Sequence, residues 1–227
     1  MRNSKFLKIA FLMFSVAIIV FACRQNDQYR GTNNNALFRS VPPGESGIKF
    51  RNQLQETDSA NSIFYEYYYN GSGLAIGDLN NDGLSDIVFG ANMSECRIFL
   101  NKGNLSFTDF TEKSGINTSG KWITGVSLAD INQDGWLDIY LCAAGNINYD
   151  YHNLLYVSNG NSEKLAFTEC ASAAGLDDNG YTTQAEFFDY DLDGDLDVYL
   201  VTAAMTVPNK NAIRQRKNDG STSFRKI

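Results

Sequence analysis

Past about residue 37 the chain alternates short apolar runs with clusters of Gly, Asn and Asp. Leu74-Ala75-Ile76, Ile87-Val88-Phe89, Arg97 to Leu100, Ile139 to Cys142, Leu154 to Val157 and Val198-Tyr199-Leu200 have strand length and composition. The polar clusters between them are turn formers. Helical periodicity is almost absent. The pattern predicts an all-β fold over residues 37–227. Ahead of it, residues 23–36 are polar and rich in Asn and Gln, the composition of a flexible tether. Residues 1–22 hold one apolar stretch, Ile9 to Phe21, behind Arg2, Lys5 and Lys8.

The strand pattern repeats. Asp78-Leu79-Asn80-Asn81-Asp82-Gly83-Leu84-Ser85-Asp86 returns as Asp130-Ile131-Asn132-Gln133-Asp134-Gly135-Trp136-Leu137-Asp138, and again as Asp189-Tyr190-Asp191-Leu192-Asp193-Gly194-Asp195-Leu196-Asp197. A second element keeps step with the first: Phe107 to Ile116, with Ser114-Gly115-Ile116 at its end, is echoed by Phe167 to Leu176. Each unit holds about four short strands, the content of one β-propeller blade. About three to four such blades are predicted. Residues 37–50 end in Ser46-Gly47-Ile48, a tail with no head before it and no partner expected among the three heads. The third unit stops before its own tail. The expectation is a partial propeller, either a fragment or a shortened relative of a larger one.

Each loop reads Asp-x-[Asp/Asn]-x-Asp-Gly-x-x-Asp. The first, third and fifth side chains offer hard oxygens, the sixth-position glycine permits a sharp turn, the seventh residue offers a carbonyl and the ninth closes the shell. Calcium takes such oxygens flexibly, whereas magnesium demands a stricter octahedron. An EF-hand is excluded, because the twelfth position holds Phe89, Leu141 and Leu200 rather than glutamate. Asp-Gly turns that bind nothing need no carboxylates at three or four fixed places. Loop three has Asp191 where the others have Asn80 and Asn132, with Asp195 adjacent, so it is expected to bind calcium most strongly.

These loops, with Phe89-Gly90-Ala91-Asn92 after the first, resemble the FG-GAP or VCBS repeat of calcium-bearing integrin-type blades. The head-and-tail unit looks more specifically like the cartilage acidic protein and ASPIC/UnbV group. That resemblance implies a seven-bladed propeller, usually with a further C-terminal domain, and it implies no reaction. It also implies up to three Ca²⁺ sites. Their ligands would be Asp78, Asn80, Asp82 and Asp86; Asp130, Asn132, Asp134 and Asp138; then Asp189, Asp191, Asp193 and Asp197. Leu84, Trp136 and Asp195 would each donate a carbonyl.

Charge and targeting narrow the function. The net charge is −7, and removing Arg2, Lys5 and Lys8 with the leader makes the rest more acidic, which argues against nucleic acid as a partner. The apolar stretch would span about 20 Å as a helix, too short for a bilayer core of about 30 Å, so it reads as a signal peptide. Val20-Phe21-Ala22-Cys23 resembles a bacterial lipobox. Acylation of Cys23 would anchor the exported chain to the outer membrane or cell surface. Cys96, Cys142 and Cys170 match no metal spacing, and Cys142 lies in a run that predicts burial.

Gly115 to Lys121 mimics a phosphate loop, but Trp122 stands where Ser or Thr is needed and a strand follows. His152 is the only histidine, too little for a nucleophilic triad. Phe64-Tyr65-Glu66-Tyr67-Tyr68-Tyr69 offers two readings: a strand with Phe64, Tyr67 or Tyr69 turned inward, or a sugar-stacking surface built from Tyr65, Tyr67, Tyr68 and Tyr69. The leading expectation is a calcium-stabilised, envelope-anchored module that binds a glycan or an extracellular protein. The remainder of a longer propeller is a further expected partner. The alternatives are a lyase-like enzyme acting on polysaccharide, or a fragment without independent function.

Overall fold

The computed structural model describes residues 37–145 and 149–203, and the backbone of 213–216 and 222–225. The leader 1–22, Cys23 and the rest of the tether lie outside the described residues. A compact unit runs from Pro42 to Ile227.

Two antiparallel four-stranded meanders dominate it. The first is β1 (Leu74–Gly77), β2 (Asp86–Phe89), β3 (Arg97–Asn101) and β4 (Phe107–Asp109). The second is β5 (Trp122–Ala129), β6 (Asp138–Ala144), β7 (Leu154–Ser158) and β8 (Phe167–Glu169). A third unit begins identically with the pair β9 (Thr182–Phe188) and β10 (Asp197–Thr202), and β11 (Ile213–Arg216) pairs with β12 (Thr222–Arg225). The chain is thus all-β and built of propeller-type blades. Every Asp loop joins the first and second strands of its sheet. A single helical turn precedes each of the first two sheets and the β9–β10 pair, α1 (Pro43–Ser46), α2 (Thr111–Ser114) and α3 (Ala171–Ala174), each closed by a left-handed glycine. One turn is too short to register as helical periodicity.

The sheets stack face to face. In β6 every residue is buried, and the period of two divides them between two cores. Ile139, Leu141 and Ala143 pack with Val88, Ile98, Ile123 and Val126, while Tyr140 and Cys142 pack with Leu155, Ala171 and Ala185. The first strands meet through small and hydroxyl-bearing residues. Ser72 Oγ donates to the Ile123 carbonyl at 2.6 Å and Thr124 Oγ1 to that of Thr182 at 2.6 Å. A Cβ on Gly73 would stand 2.7 Å from Val126 N, and one on Gly125 2.6 Å from the Thr183 carbonyl oxygen, so both positions demand glycine for close approach.

The N-terminal tail, expected to find no partner among the three heads, packs on the second element of the first unit. Gly47 lies so close to β4 that a Cβ would be 2.3 Å from the Phe107 carbonyl oxygen, and Gly115 approaches Phe167 of β8 in the same way at 2.8 Å. Each tail therefore packs on the outer strand of the following sheet, and the first tail does so on the first sheet. The aromatic segment is a set of turns over residues 61–69, not a strand. Its inward ring is Tyr68, 1% exposed, whereas Phe64 and Tyr69 are open. Asn61 sets this geometry by accepting the Ile63 N–H at its Oδ1 and donating to the Thr57 carbonyl.

Candidate metal loops and the aromatic end

The three Asp loops share one internal architecture. The leading aspartate accepts two backbone N–H groups: Asp78 takes those of Asp82 and Gly83 at 3.1 and 2.7 Å, Asp130 those of Asp134 and Gly135 at 2.9 and 2.8 Å, and Asp189 those of Asp193 and Gly194 at 3.2 and 3.1 Å. The fifth-position carboxylate accepts the N–H of the seventh residue, from Leu84, Trp136 and Asp195. These bonds fix the path of each loop while leaving the carboxylates further lone pairs. The tight path also needs left-handed backbone at two places: the sixth-position glycine, and the fourth residue, where Asn81, Gln133 and Leu192 have φ of 53°, 58° and 63°.

The ninth aspartate ties the loop to its sheet. Asp86 is fully buried; it accepts the Leu79 N–H at 2.9 Å and, across the sheet, that of Asn101 at 2.8 Å. Asp138 does the same with Ile131 and Ser158, and Asp197 accepts from Tyr190. Burial pushes the Asp86 and Asp138 carboxyls up; the N–H bonds pull the other way, and the neighbouring loop carboxylates push up again. In loop three, Asp195 is raised by its hydrogen bond with Asp193 and by that residue's charge.

The donor set fits a calcium ion. Oxygens of Asp189, Asp191 and Asp197 lie within 4.8 Å of one another, a spread that metal–oxygen bonds of about 2.4 Å can bridge. Among the described residues no lysine or arginine forms a salt bridge with any loop carboxylate. Loops one and two carry an amide at the third position, and Asn80 and Asn132 each donate from Nδ2 to the fifth-position aspartate at 3.0 Å while the amide oxygen faces the loop backbone.

One set of contacts gave no sequence signal. Asn81 Nδ2 donates to the Gly135 carbonyl of loop two at 3.0 Å, and Gln133 Nε2 donates to the Gly194 carbonyl of loop three at 2.9 Å. The fourth position varies in residue type, so periodic reading of the motif passes over it.

The aromatic residues gather at the opposite end of the first strands. Trp122 opens β5, eight residues long, and loop two follows its far end. Tyr65, Tyr68 and Tyr149 pack on Trp122 with centroids 5.5, 5.3 and 5.3 Å away. Burial pushes the Tyr65 hydroxyl up to about 12. Of the four candidate stacking rings, Tyr65 and Tyr68 are thus largely structural. Tyr67 and Tyr69 keep open faces, and the Tyr69 hydroxyl bonds Glu56. Tyr151 and Tyr181, 4.7 Å apart, extend the patch. Lys121, the lysine of the phosphate-loop mimic, is buried and donates to Asp150 and to the His152 carbonyl, both at 2.8 Å. His152 itself bonds Asp150 at 2.7 Å.

Residues 78–141, from the head of loop one to the middle of β6, match the FG-GAP-like repeat family model. Cartilage acidic protein 1 of Xenopus tropicalis is 31% identical over 144 residues, covering 63% of this chain and 21% of that protein. The Mus musculus cartilage acidic protein 1 is 27% identical over 188 residues, 83% of this chain and 28% of its own length. Integrin alpha-8 of Mus musculus is 25% identical over 194 residues, 75% of this chain and 18% of its own length. The chain spans less than a third of each of these curated relatives.

Proposed function

We propose that this chain is a calcium-stabilised binding module, exported and lipid-anchored through Cys23, which presents its aromatic end to a glycan or an extracellular protein. The observation that carries the calcium reading is the gathering of the Asp189, Asp191 and Asp197 carboxylates in loop three, in a hydrogen-bonded loop architecture that loops one and two share, with no cationic side chain paired to these carboxylates among the described residues. The ligands are those named from the sequence, the side chains of Asp78, Asn80, Asp82 and Asp86 and their counterparts, with the carbonyls of Leu84, Trp136 and Asp195. Bound calcium supplies positive charge to crowded carboxylates, and the chain's own groups hold those carboxylates in place. Its role is structural, since the loop donors fill the shell. A longer stretch of the same repeats is a further partner.

Calorimetric titration of the calcium-stripped full chain tests this. Up to three ions should bind. Asp78→Ala, Asp130→Ala and Asp189→Ala should each remove one, with loop three the tightest. No calcium uptake would end the reading, and a weakest third site would end its ranking. For the aromatic end, Tyr67→Ala and Tyr69→Ala should abolish glycan-array binding by the calcium-loaded chain. Unchanged array binding by both would remove that surface from consideration.

A further inference from the structure

We infer that Asn81 and Gln133, which are not themselves metal ligands, are positioning residues for the next loop in the series and couple neighbouring calcium sites; this rests on the calcium reading above. The geometry is a relay. The Asn81 amide donates to the Gly135 carbonyl at 3.0 Å, and the other side of that same peptide, the Trp136 N–H, donates to Asp134 Oδ1 at 2.9 Å. The link is repeated one loop further on. The Gln133 amide donates to the Gly194 carbonyl at 2.9 Å, and the Asp195 N–H donates to Asp193 Oδ1 at 3.1 Å. A peptide whose carbonyl accepts a hydrogen bond becomes a stronger N–H donor, so the two bonds reinforce each other.

The peptide held in this way lies next to two of the ligand groups. It fixes the carboxylate of Asp134 or Asp193, and it immediately precedes the carbonyl of Trp136 or Asp195. At the other end of the relay, Asn81 stands between the ligands Asn80 and Asp82, in a left-handed conformation imposed by the loop. Ordering loop one therefore aims the Asn81 amide, and the amide aims ligands of loop two. By linkage, the effect runs equally in reverse. Leu192 occupies the fourth position of loop three, has no donor and is exposed, so the relay has no amide beyond that loop.

Trp136 gives a reporter seated in loop two, because the chain has two tryptophans and Trp122 lies at the other end of β5. Terbium, a calcium substitute, is titrated into the full chain with excitation through tryptophan, and calcium is then used to displace it. Asn81→Gly keeps the left-handed backbone and removes the amide. It should weaken loop-two binding by about 2- to 10-fold, the effect of one hydrogen bond. Asn81→Gln, the residue type that makes the same bond one loop later, should retain it. Asp78→Ala in loop one should weaken loop two in the parent chain but not in the Asn81→Gly background. Gln133→Gly, followed by calorimetry at loop three, is the second case, should Asn81→Gly not fold. Uptake curves of the parent and the glycine variants that superimpose would overturn this inference alone. Absence of uptake by the parent would overturn the calcium reading and this inference with it.

Discussion

The aspartates of one loop have unlike duties, although the motif writes them alike. Asp82 is exposed, and its Oδ1 accepts one N–H from within the loop. Asp86 is buried and satisfies N–H groups from two separate parts of the sheet, those of Leu79 and Asn101. With calcium chelated, Asp86→Ala should therefore cost about 3 kcal/mol or more, because both buried donors lose their acceptor. Asp82→Ala should cost less than about 1 kcal/mol. Urea unfolding in chelator separates the two, and equal costs would mean that Asp86 is no strut. The cysteines differ in a parallel way. The three among the described residues are free, and burial pushes the thiols of Cys96 and Cys142 up to about 11 and about 12. An unfolded thiol titrates near 8.5. Since the folded values are raised, their contribution to stability is complete below that pH and is lost as pH rises towards the folded values. The urea midpoint should fall above about pH 9, and Cys142→Ala should flatten that fall. At neutral pH, a maleimide should label the partly exposed Cys170 before Cys96 or Cys142.

At the scale of strands and turns, the sequence was legible wherever a pattern was local. The period-two runs placed β2, β3, β6, β7 and β10, and the spacing of aspartates placed the loops between first and second strands. Contacts across sheets left fainter marks. Gly73 and Gly125 carry no distinguishing mark in the sequence, yet each allows one first strand to touch the next. The aromatic run alternates like a strand, but Asn61 caps a series of turns there and rotates Tyr68, rather than its neighbours, inward. Likewise nothing local marks the neighbour of the N-terminal tail, because Phe107 belongs to the outer strand of the following sheet. Gly73→Ala should drive a methyl into the backbone of β5 and cost about 1–3 kcal/mol. Hydrogen exchange should then quicken first in β1 and β5. Gly83→Ala, with nothing within 4 Å but a φ of +85°, should cost only the backbone strain of its own loop. Identical exchange maps for the two variants would refute the close-packing account.

For the whole molecule, the balance lies between stacked sheets and crowded charge. β6 belongs to both hydrophobic clusters, so the first two sheets and the β9–β10 pair cannot part without exposing it. The resulting unit should unfold in one transition. Against that cohesion stand three groups of carboxylates in a chain of net charge −7. A cation that binds only the folded loops stabilises by linkage, by about 2.7 kcal/mol per site at a concentration a hundredfold above its dissociation constant. In a domain of this size, 1 kcal/mol moves the midpoint by about 2–4 °C. Each filled loop should thus raise the melting temperature by about 5–10 °C. Chelator should reverse the rise, and magnesium, with its stricter octahedral demand, should give less of it. Because the sheets are joined through shared strands, loop-disabling substitutions should lower a single midpoint in steps rather than split the transition. A split transition would mean that the sheets are energetically separate and that calcium acts on each alone. A midpoint indifferent to calcium would mean that the cradles are closed by their own hydrogen bonds.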